Sequence, residues 1–493
     1  MSVMNAWSAA IPRFPGQVNE DNIYIHGNPE WNQVQKMIFR QVTSPGIAHY
    51  SYYLGSGRSA AVIDPRRDSG IYLDLAKEND QKISMVFETH RNEDYLIGSR
   101  EIETRTGAPV YHGPVTPFGY GNTVKDGDRF ILGDLEISVL ETPGHTLDSI
   151  SLVARDRNVS GEPFLVFTGD ALFSGDVGRT DLIGPGKVAE ASGMLFDSLW
   201  QKIIPLGDPV IICPAHGAGS VCGVEISDHP LTTIGYEKAA NPHLAKTRDE
   251  FIGNKTREVT YVPPYFRKME VLNLSGPPVI GDMPDIASLS PGELKERARQ
   301  GARVLDIRGP GSFGAGHIPG SLSIWRDGLA AFMGWFLDYE SPVILVDDFN
   351  LGLDAVQRHF VWLGFDNLLG YLSGGFSSWF KAGEPFSRHG VWSVHELERV
   401  LEENREGLYL LDVRDIHNRG KNGHIRTDHH TYLGHLPGHL PTVPRDTPVI
   451  VYCDAGFKGC TAASILSMNG FHNVTNILGG MTAWRSAGLP VEQ

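Results

Sequence analysis

The sequence predicts a multidomain protein of mixed α/β and α+β class, and three observations carry that reading. At about 150 residues per domain, the 493-residue chain is long enough for about three domains. The second half repeats itself at an offset of 105 to 106 residues. The first half has a different texture: short apolar runs that each end in a polar, Gly-rich or His-containing turn. The expected division is an N-terminal extension (1–37), a first domain (38–243), a linker (244–282) and two related domains (283–387 and 388–493).

Composition excludes several function classes. Lys and Arg number 43 against 58 Asp and Glu, a formal net charge of −15, and no long basic run offers a nucleic-acid surface. No window approaches the roughly 18 consecutive apolar residues of a membrane helix. Four cysteines, Cys213, Cys222, Cys453 and Cys460, are too few for a disulfide scaffold, which favours a reducing compartment. The first 41 residues mix Pro, Asn, Gln and acidic side chains without a basic stretch followed by an apolar one, so the expectation is cytoplasmic.

In the first domain the apolar runs Ala60 to Ile63, Ile83 to Phe87, Phe164 to Phe167 and Pro209 to Ile212 read as strands. Ligands of α/β sheets gather beyond the carboxyl ends of strands. There the chain places Thr89-His90-Arg91-Asn92-Glu93-Asp94-Tyr95, Thr142-Pro143-Gly144-His145, Thr168-Gly169-Asp170 and Pro214-Ala215-His216. Two imidazoles and a carboxylate released at strand ends can form a face that leaves open positions on a metal and suits non-haem Fe(II). Cys222 follows His216 closely enough to lie near such a metal, as a sulfur relay, a wall of the substrate pocket or a small apolar filler. Cys213, at a strand end, reads as core. Between the halves, Val262-Pro263-Pro264 and Gly276-Pro277-Pro278 read as stiff connectors packed against their neighbours.

These motifs, with Gly169-Asp170-Ala171-Leu172-Phe173 and Gly178-Arg179-Thr180-Asp181, resemble the metallo-β-lactamase superfold and, within it, the glyoxalase II and persulfide dioxygenase branch. The resemblance implies an αββα sandwich. The superfold's usual His-x-His-x-Asp-His motif appears here with Asn92 and Tyr95 at its second and fourth positions. A binuclear hydrolase needs both histidines. The persulfide dioxygenases use one iron, so the resemblance implies one Fe(II) per chain on His90, His145 and Asp170. Asp94 and His216 would orient those ligands or bound water. Arg179 and Asp181 match positions on the substrate side of the site; read by themselves they are equally a structural ion pair.

In the second half, Val304-Leu305-Asp306-Ile307-Arg308 recurs as Leu410-Leu411-Asp412-Val413-Arg414, and Pro342-Val343-Ile344-Leu345 as Pro448-Val449-Ile450-Val451. Gly374-Gly375 with Trp379 recurs as Gly479-Gly480 with Trp484. Each copy alternates β-branched runs with helical stretches such as Gly352 to Leu363 and Thr461 to Met468, which predicts two parallel α/β domains. After the Val449 to Tyr452 run comes Cys453-Asp454-Ala455-Gly456-Phe457-Lys458-Gly459. A cysteine between strand end and helix start sits among free N–H groups that favour a thiolate, and Lys458 adds positive charge for a persulfide or an anionic donor. This loop resembles that of a rhodanese domain, with Cys453 as the sulfur acceptor.

In the first copy Asp347 takes the aligned position, and its loop lacks a basic residue. A carboxylate cannot carry a persulfide, so residues 283–387 read as an inactive rhodanese-like module kept for packing, dimerisation or positioning. The histidine-dense stretch His424, His429, His430, His435 and His439 reads as a solvated loop, with metal binding as the alternative. Cys460 carries no separate argument for reactivity.

The order of parts is similar to the persulfide dioxygenase–rhodanese fusion enzymes. It implies oxidation of a low-molecular-weight persulfide, of glutathione or coenzyme A type, by O2 to sulfite and thiol. Cys453 would then exchange sulfane sulfur among persulfide, sulfite and thiosulfate. The rival readings are a glyoxalase II-like thioester hydrolase and a metal-free rhodanese sulfur carrier. A homo-oligomer is expected, with the inactive module as its candidate interface.

Overall fold

The structure is a computed structural model that describes residues 37–223, 225–403 and 407–493. The expected N-terminal extension lies outside the described residues, save Met37.

Two six-stranded sheets build the first domain. The strands Ile38–Ser44, His49–Ser56, Ser59–Ile63, Lys82–Glu88, Val110–His112 and Asn122–Thr123 form one, in chain order. The other runs Thr232–Thr233, Ile211–Pro214, Pro163–Gly169, Ile150–Asp156, Leu135–Glu141 and Arg129–Leu132. Alternation along each strand decides the layering, because neighbouring side chains point to opposite faces. Leu152, Ala154, Leu165 and Phe167 turn inward to meet Phe39, Tyr52 and Leu54 of the first sheet. Val153 and Val166 turn outward, beneath Leu195 of helix Val188–Ser198 and Phe251 of helix Arg248–Lys255. On the far side Val62 and Val86 meet Tyr72 and Ile102 of helices Gly70–Glu78 and Ser99–Thr106. The result is the αββα sandwich implied by the motifs.

The two remaining domains are copies. One holds the parallel strands Ala287–Leu289, Leu368–Leu372, Val343–Val346, Arg303–Asp306 and Leu322–Ser323, in that spatial order. The other holds Gly390–Trp392, Val474–Ile477, Val449–Tyr452, Tyr409–Asp412 and His429–His430 in the same order. The repeated motif has a structural cause. Arg308 grips Asp306 at 2.7 Å and the Gly316 carbonyl at 2.7 Å, and Arg414 grips Asp412 at 2.6 Å and the Gly423 carbonyl at 2.8 Å. Trp379 and Trp484 each donate an indole N–H, at 2.8 Å, to the carbonyl of Pro385 and Pro490 respectively.

The linker carries more regular structure than its prolines suggest. A capping box of Thr247 and Glu250 starts helix Arg248–Lys255, and a second helix spans Phe266–Ser275. Phe266 and Met269 of that helix enter a core shared by all the domains, with Tyr95 and Leu96 of the sandwich, Leu345 and Phe360 of the first copy, and Leu411 and Val451 of the second. Among the described residues no helix is long and apolar enough to cross a membrane.

Candidate metal centre and sulfur-transfer loop

His90, Asp94, His145, Asp170, His216 and Cys222 converge at one end of the sandwich, all at most 2% exposed. Gly169 sets the approach. Its φ of +54° lies in the left-handed region, and a Cβ there would stand 2.7 Å from Thr89 Oγ1, so only glycine lets the strand end reach the His90 loop.

The hydrogen bonds behind the imidazoles fix their tautomers. His145 Nδ1 lies 3.0 Å from the Arg179 carbonyl, which can only accept, so Nδ1 carries the hydrogen. Burial pushes the His145 pKa down to about 4, against the pull of Asp170, so the ring is neutral. Thr89 gives its hydroxyl hydrogen to Asp64 at 2.8 Å and therefore accepts from His90 Nδ1 at 2.9 Å. In the neutral His145 ring Nε2 then presents a lone pair, as His90 Nε2 does whenever that ring serves as a ligand. Those two nitrogens face the same oxygen, Asp170 Oδ2, at 3.7 Å from His90 and 3.3 Å from His145, and neither is hydrogen-bonded. Three electron-pair donors thus meet with no hydrogen between them. That arrangement is repulsive alone and stable around a cation, so the residues fit a divalent metal ion.

The other oxygen of Asp170 takes His216 Nδ1 at 2.8 Å, and His216 Nε2 lies 3.0 Å from Asp94. Burial opposes charge on His216, but the two carboxylates raise its pKa well above the usual value. For Asp170 burial acts upward, and His216 and His90 hold it far below the usual carboxylate range. A sulfur, nitrogen or oxygen atom from each of Cys222, His145 and Asp170 lies within 4.8 Å of the others, and the same holds for Cys222, Asp94 and His216. Burial, then the charges of Asp94 and Asp170, raises the Cys222 pKa, so this sulfur stands beside the cluster as a thiol.

Asn92 turns its amide onto the His90 carbonyl at 3.2 Å, and Tyr95 packs on His49 with ring centroids 4.1 Å apart. Arg179 and Asp181 form a two-pronged ion pair at 2.7 and 2.6 Å. Arg179 also holds the carbonyls of Val221 and Tyr261, which secures the loop carrying Cys222. Three supporting residues escaped the sequence reading. Asp64 orients Thr89; Asn273 of the linker helix donates to the carbonyls of Asn92 at 2.7 Å and Tyr95 at 2.8 Å and accepts from the Ile97 N–H at 3.1 Å; Glu93 lies beside His90 and His145. Of these, only Glu93 left a local signal, a carboxylate inside the His90 motif.

In the last domain Cys453 follows the strand Val449–Tyr452 and accepts the Gly456 N–H at 3.1 Å, ahead of helix Phe457–Met468. The expected thiolate meets an opposing force. Burial raises the Cys453 pKa, and the N–H groups of Gly459, Ala455 and Gly456 together with Lys458 only partly offset it. Lys458 is itself paired with Asp454 at 2.8 Å and stands 3.6 Å from Asp415. In the first copy, Asp347 fills its own loop: its carboxylate takes the Asn350 N–H at 2.9 Å and Arg326 at 3.2 Å. The missing basic residue is therefore supplied from outside the loop, by Arg326.

A cleft of about 1020 Å³ joins the parts, lined by Arg179, Val221, Tyr261, Trp335, Asp415 and Tyr432 among others. It reaches from Arg179, whose carbonyl holds His145, to Asp415 beside Lys458. The histidine-dense stretch gathers no metal-ligand cluster among the described residues. His424 pairs with Asp428 at 3.0 Å, His430 meets the Arg414 carbonyl at 2.8 Å, and His429 stacks on Tyr409.

Fold and site together define an αββα sandwich with a candidate metal centre, joined to a tandem of parallel α/β domains, the second with a buried cysteine loop. Family models agree: residues 45–216 match the metallo-beta-lactamase superfamily, and residues 290–382 and 393–487 each match a rhodanese-like domain. A metallo-beta-lactamase structure from Staphylococcus aureus is 27% identical, with a TM-score of 0.61, over 68% of this chain and 99% of that one. Persulfide dioxygenase ETHE1, mitochondrial, of Bos taurus is 27% identical over 44% of this chain and 79% of its own length. Hydroxyacylglutathione hydrolase GloC of Haemophilus influenzae is 26% identical over 38% of this chain and 88% of its own length. The chain belongs to the metallo-beta-lactamase superfamily, as a fusion of that domain with two rhodanese-like domains, the architecture of the persulfide dioxygenase–rhodanese fusion family.

Proposed function

We propose that the sandwich oxidises a low-molecular-weight persulfide of glutathione or coenzyme A type with O2, and that Cys453 transfers the sulfane sulfur. The overall change is persulfide, O2 and water to thiol, sulfite and two protons. The carrying observation is the pair of Nε2 lone pairs, from His90 and His145, that meet Asp170 while Asn92 and Tyr95 replace the histidines a second metal would require. One Fe(II) on those three residues would supply open coordination positions and one-electron reactivity toward O2, while the four electrons of the overall change come from the outer persulfide sulfur. The chain's own residues do the rest. Thr89 and the Arg179 carbonyl hold the imidazoles, and His216 and Asp94 hold the carboxylate. Arg179, held by Asp181, lines the cleft, and Cys222 would stand where a substrate sulfur arrives. At Cys453 the thiolate attacks the outer sulfur of thiosulfate; the cysteine S–S bond forms as the thiosulfate S–S bond breaks and sulfite leaves. The reverse step consumes sulfite made at the metal.

Four unpaired cysteines support a reducing, cytoplasmic setting. The domain limits we assign are 38–243, 283–387 and 388–493.

The test is O2 uptake by anaerobically purified, iron-analysed protein given glutathione persulfide, with a glutathione thioester in parallel. Rapid uptake near one iron per chain is expected. Thioester cleavage without O2 uptake would establish the hydrolase reading, which the Haemophilus influenzae relative supports. Protein free of metal would leave Cys453 as the working centre.

A further inference from the structure

Glu93 lies three residues beyond His90, beside the two imidazoles, with no role yet assigned to its carboxylate. Its side chain is buried, with the residue 1% exposed. One oxygen, Oε1, accepts from Arg91 at 2.8 Å; the other, Oε2, is buried without a hydrogen-bond partner. Arg91 is shared, standing 3.5 Å from Glu270 as well. A buried carboxylate with one bare oxygen and half a counter-charge costs stability unless something completes it. Beside it stand electron-pair donors that a cation would bring together: a Glu93 oxygen and a ring nitrogen from each of His90 and His145 lie within 4.8 Å of one another.

We propose that Glu93 is a fourth protein ligand, its free oxygen joining His90, His145 and Asp170 on the same divalent ion. Donors around one ion at bond lengths of about 2.1 Å stand no more than about 4.2 Å apart, close to the 4.8 Å within which Glu93, His90 and His145 gather. Beside a divalent cation Glu93 would add a second carboxylate to Asp170, whose charge His216 already shares. A second hard oxygen donor also tilts the site toward Fe(II) or Mn(II) and away from softer ions. The proposal rests on the reading of His90, His145 and Asp170 as a metal centre.

Full-length protein stripped with chelator and titrated with Co(II), in competition with a chromogenic chelator, tests it. Glu93→Gln, which keeps the shape and removes the charge, is expected to weaken Co(II) binding tenfold or more and to shift its visible bands. Glu93→Asp should recover part of the affinity and of the band positions, which also covers the case in which the Gln variant folds poorly. Affinity and bands indistinguishable from the unmodified protein in both variants would overturn the fourth-ligand assignment while leaving the three-residue centre intact. Asp170→Ala is expected to bind no Co(II) at this site. Retention of the unmodified bands in Asp170→Ala would overturn the centre itself and the proposal with it.

Discussion

Cys453 and Asp170 occupy equivalent positions in their own domains, each one step past the end of a buried strand, yet they depend on different surroundings. Asp170 is held by imidazoles on either side, Cys453 by the amide groups of its own loop. The two chemistries should therefore separate by substitution. Asp170→Ala is expected to lose bound metal and persulfide-dependent O2 uptake while keeping thiosulfate sulfurtransferase activity, and Cys453→Ser to do the reverse. Loss of both activities in either folded variant would refute the division. Because burial raises the Cys453 pKa from its usual value near 9, the neutral thiol predominates at pH 7. Alkylation of Cys453 by iodoacetamide should accelerate as pH rises from 7 to 9; a plateau reached below pH 7 would mean that Lys458 and the loop amides outweigh burial.

At the scale of elements, the linker helix Phe266–Ser275 governs the metal loop. Asn273 satisfies two carbonyls and one N–H of residues 92–97, and the Tyr265 hydroxyl reaches the Asp94 carbonyl at 3.2 Å. Leaving such buried groups unpaired costs about 1–3 kcal/mol. Asn273→Ala should lower metal affinity by about 10- to 100-fold, the usual effect of losing a support behind a ligand, although the side chain touches no ligand. Equilibrium dialysis of the variant against the unmodified protein checks this. Nothing in the linker's local pattern pointed to this role, because Asn273 acts on a residue 181 positions away. The paired Asp-x-Arg motifs, by contrast, were legible because each closes a contact within its own repeat.

For the molecule as a whole, the copy that carries Asp347 is the keystone. Arg67 of the sandwich, with no side-chain exposure, forms a two-pronged pair with Asp366 at 2.6 and 2.8 Å, and Trp362 donates to Asp68 at 2.7 Å. On its other side Ser323 stands 3.4 Å from Cys460 and donates its N–H to Ser464 at 3.0 Å. These contacts give the module a use that needs no sulfur chemistry: it fixes the sandwich and the copy that carries Cys453 around one cleft. Asp366→Ala leaves the buried Arg67 guanidinium with carbonyl partners alone and, because Asp366 is itself half-exposed, should cost about 1–3 kcal/mol. In urea unfolding the transition of the sandwich should move to lower denaturant; an unchanged profile would show that the interface does not couple the domains.

The sequence by itself determined the αββα and rhodanese-like classes, the strand-end histidines and aspartate, and the cysteine loop with its aspartate twin. Each is written in a short stretch, as a strand followed by its turn, and strand periodicity and turn chemistry act over a few residues. The tertiary structure alone decided which lone pairs face one another, that Arg326 neutralises Asp347, that the Glu93 carboxylate lies beside two imidazoles, and that Asn273 and the Arg67–Asp366 pair bind distant segments. Those contacts join residues up to 299 positions apart. They are set by how the layers pack against one another, and neither composition nor local spacing records that packing.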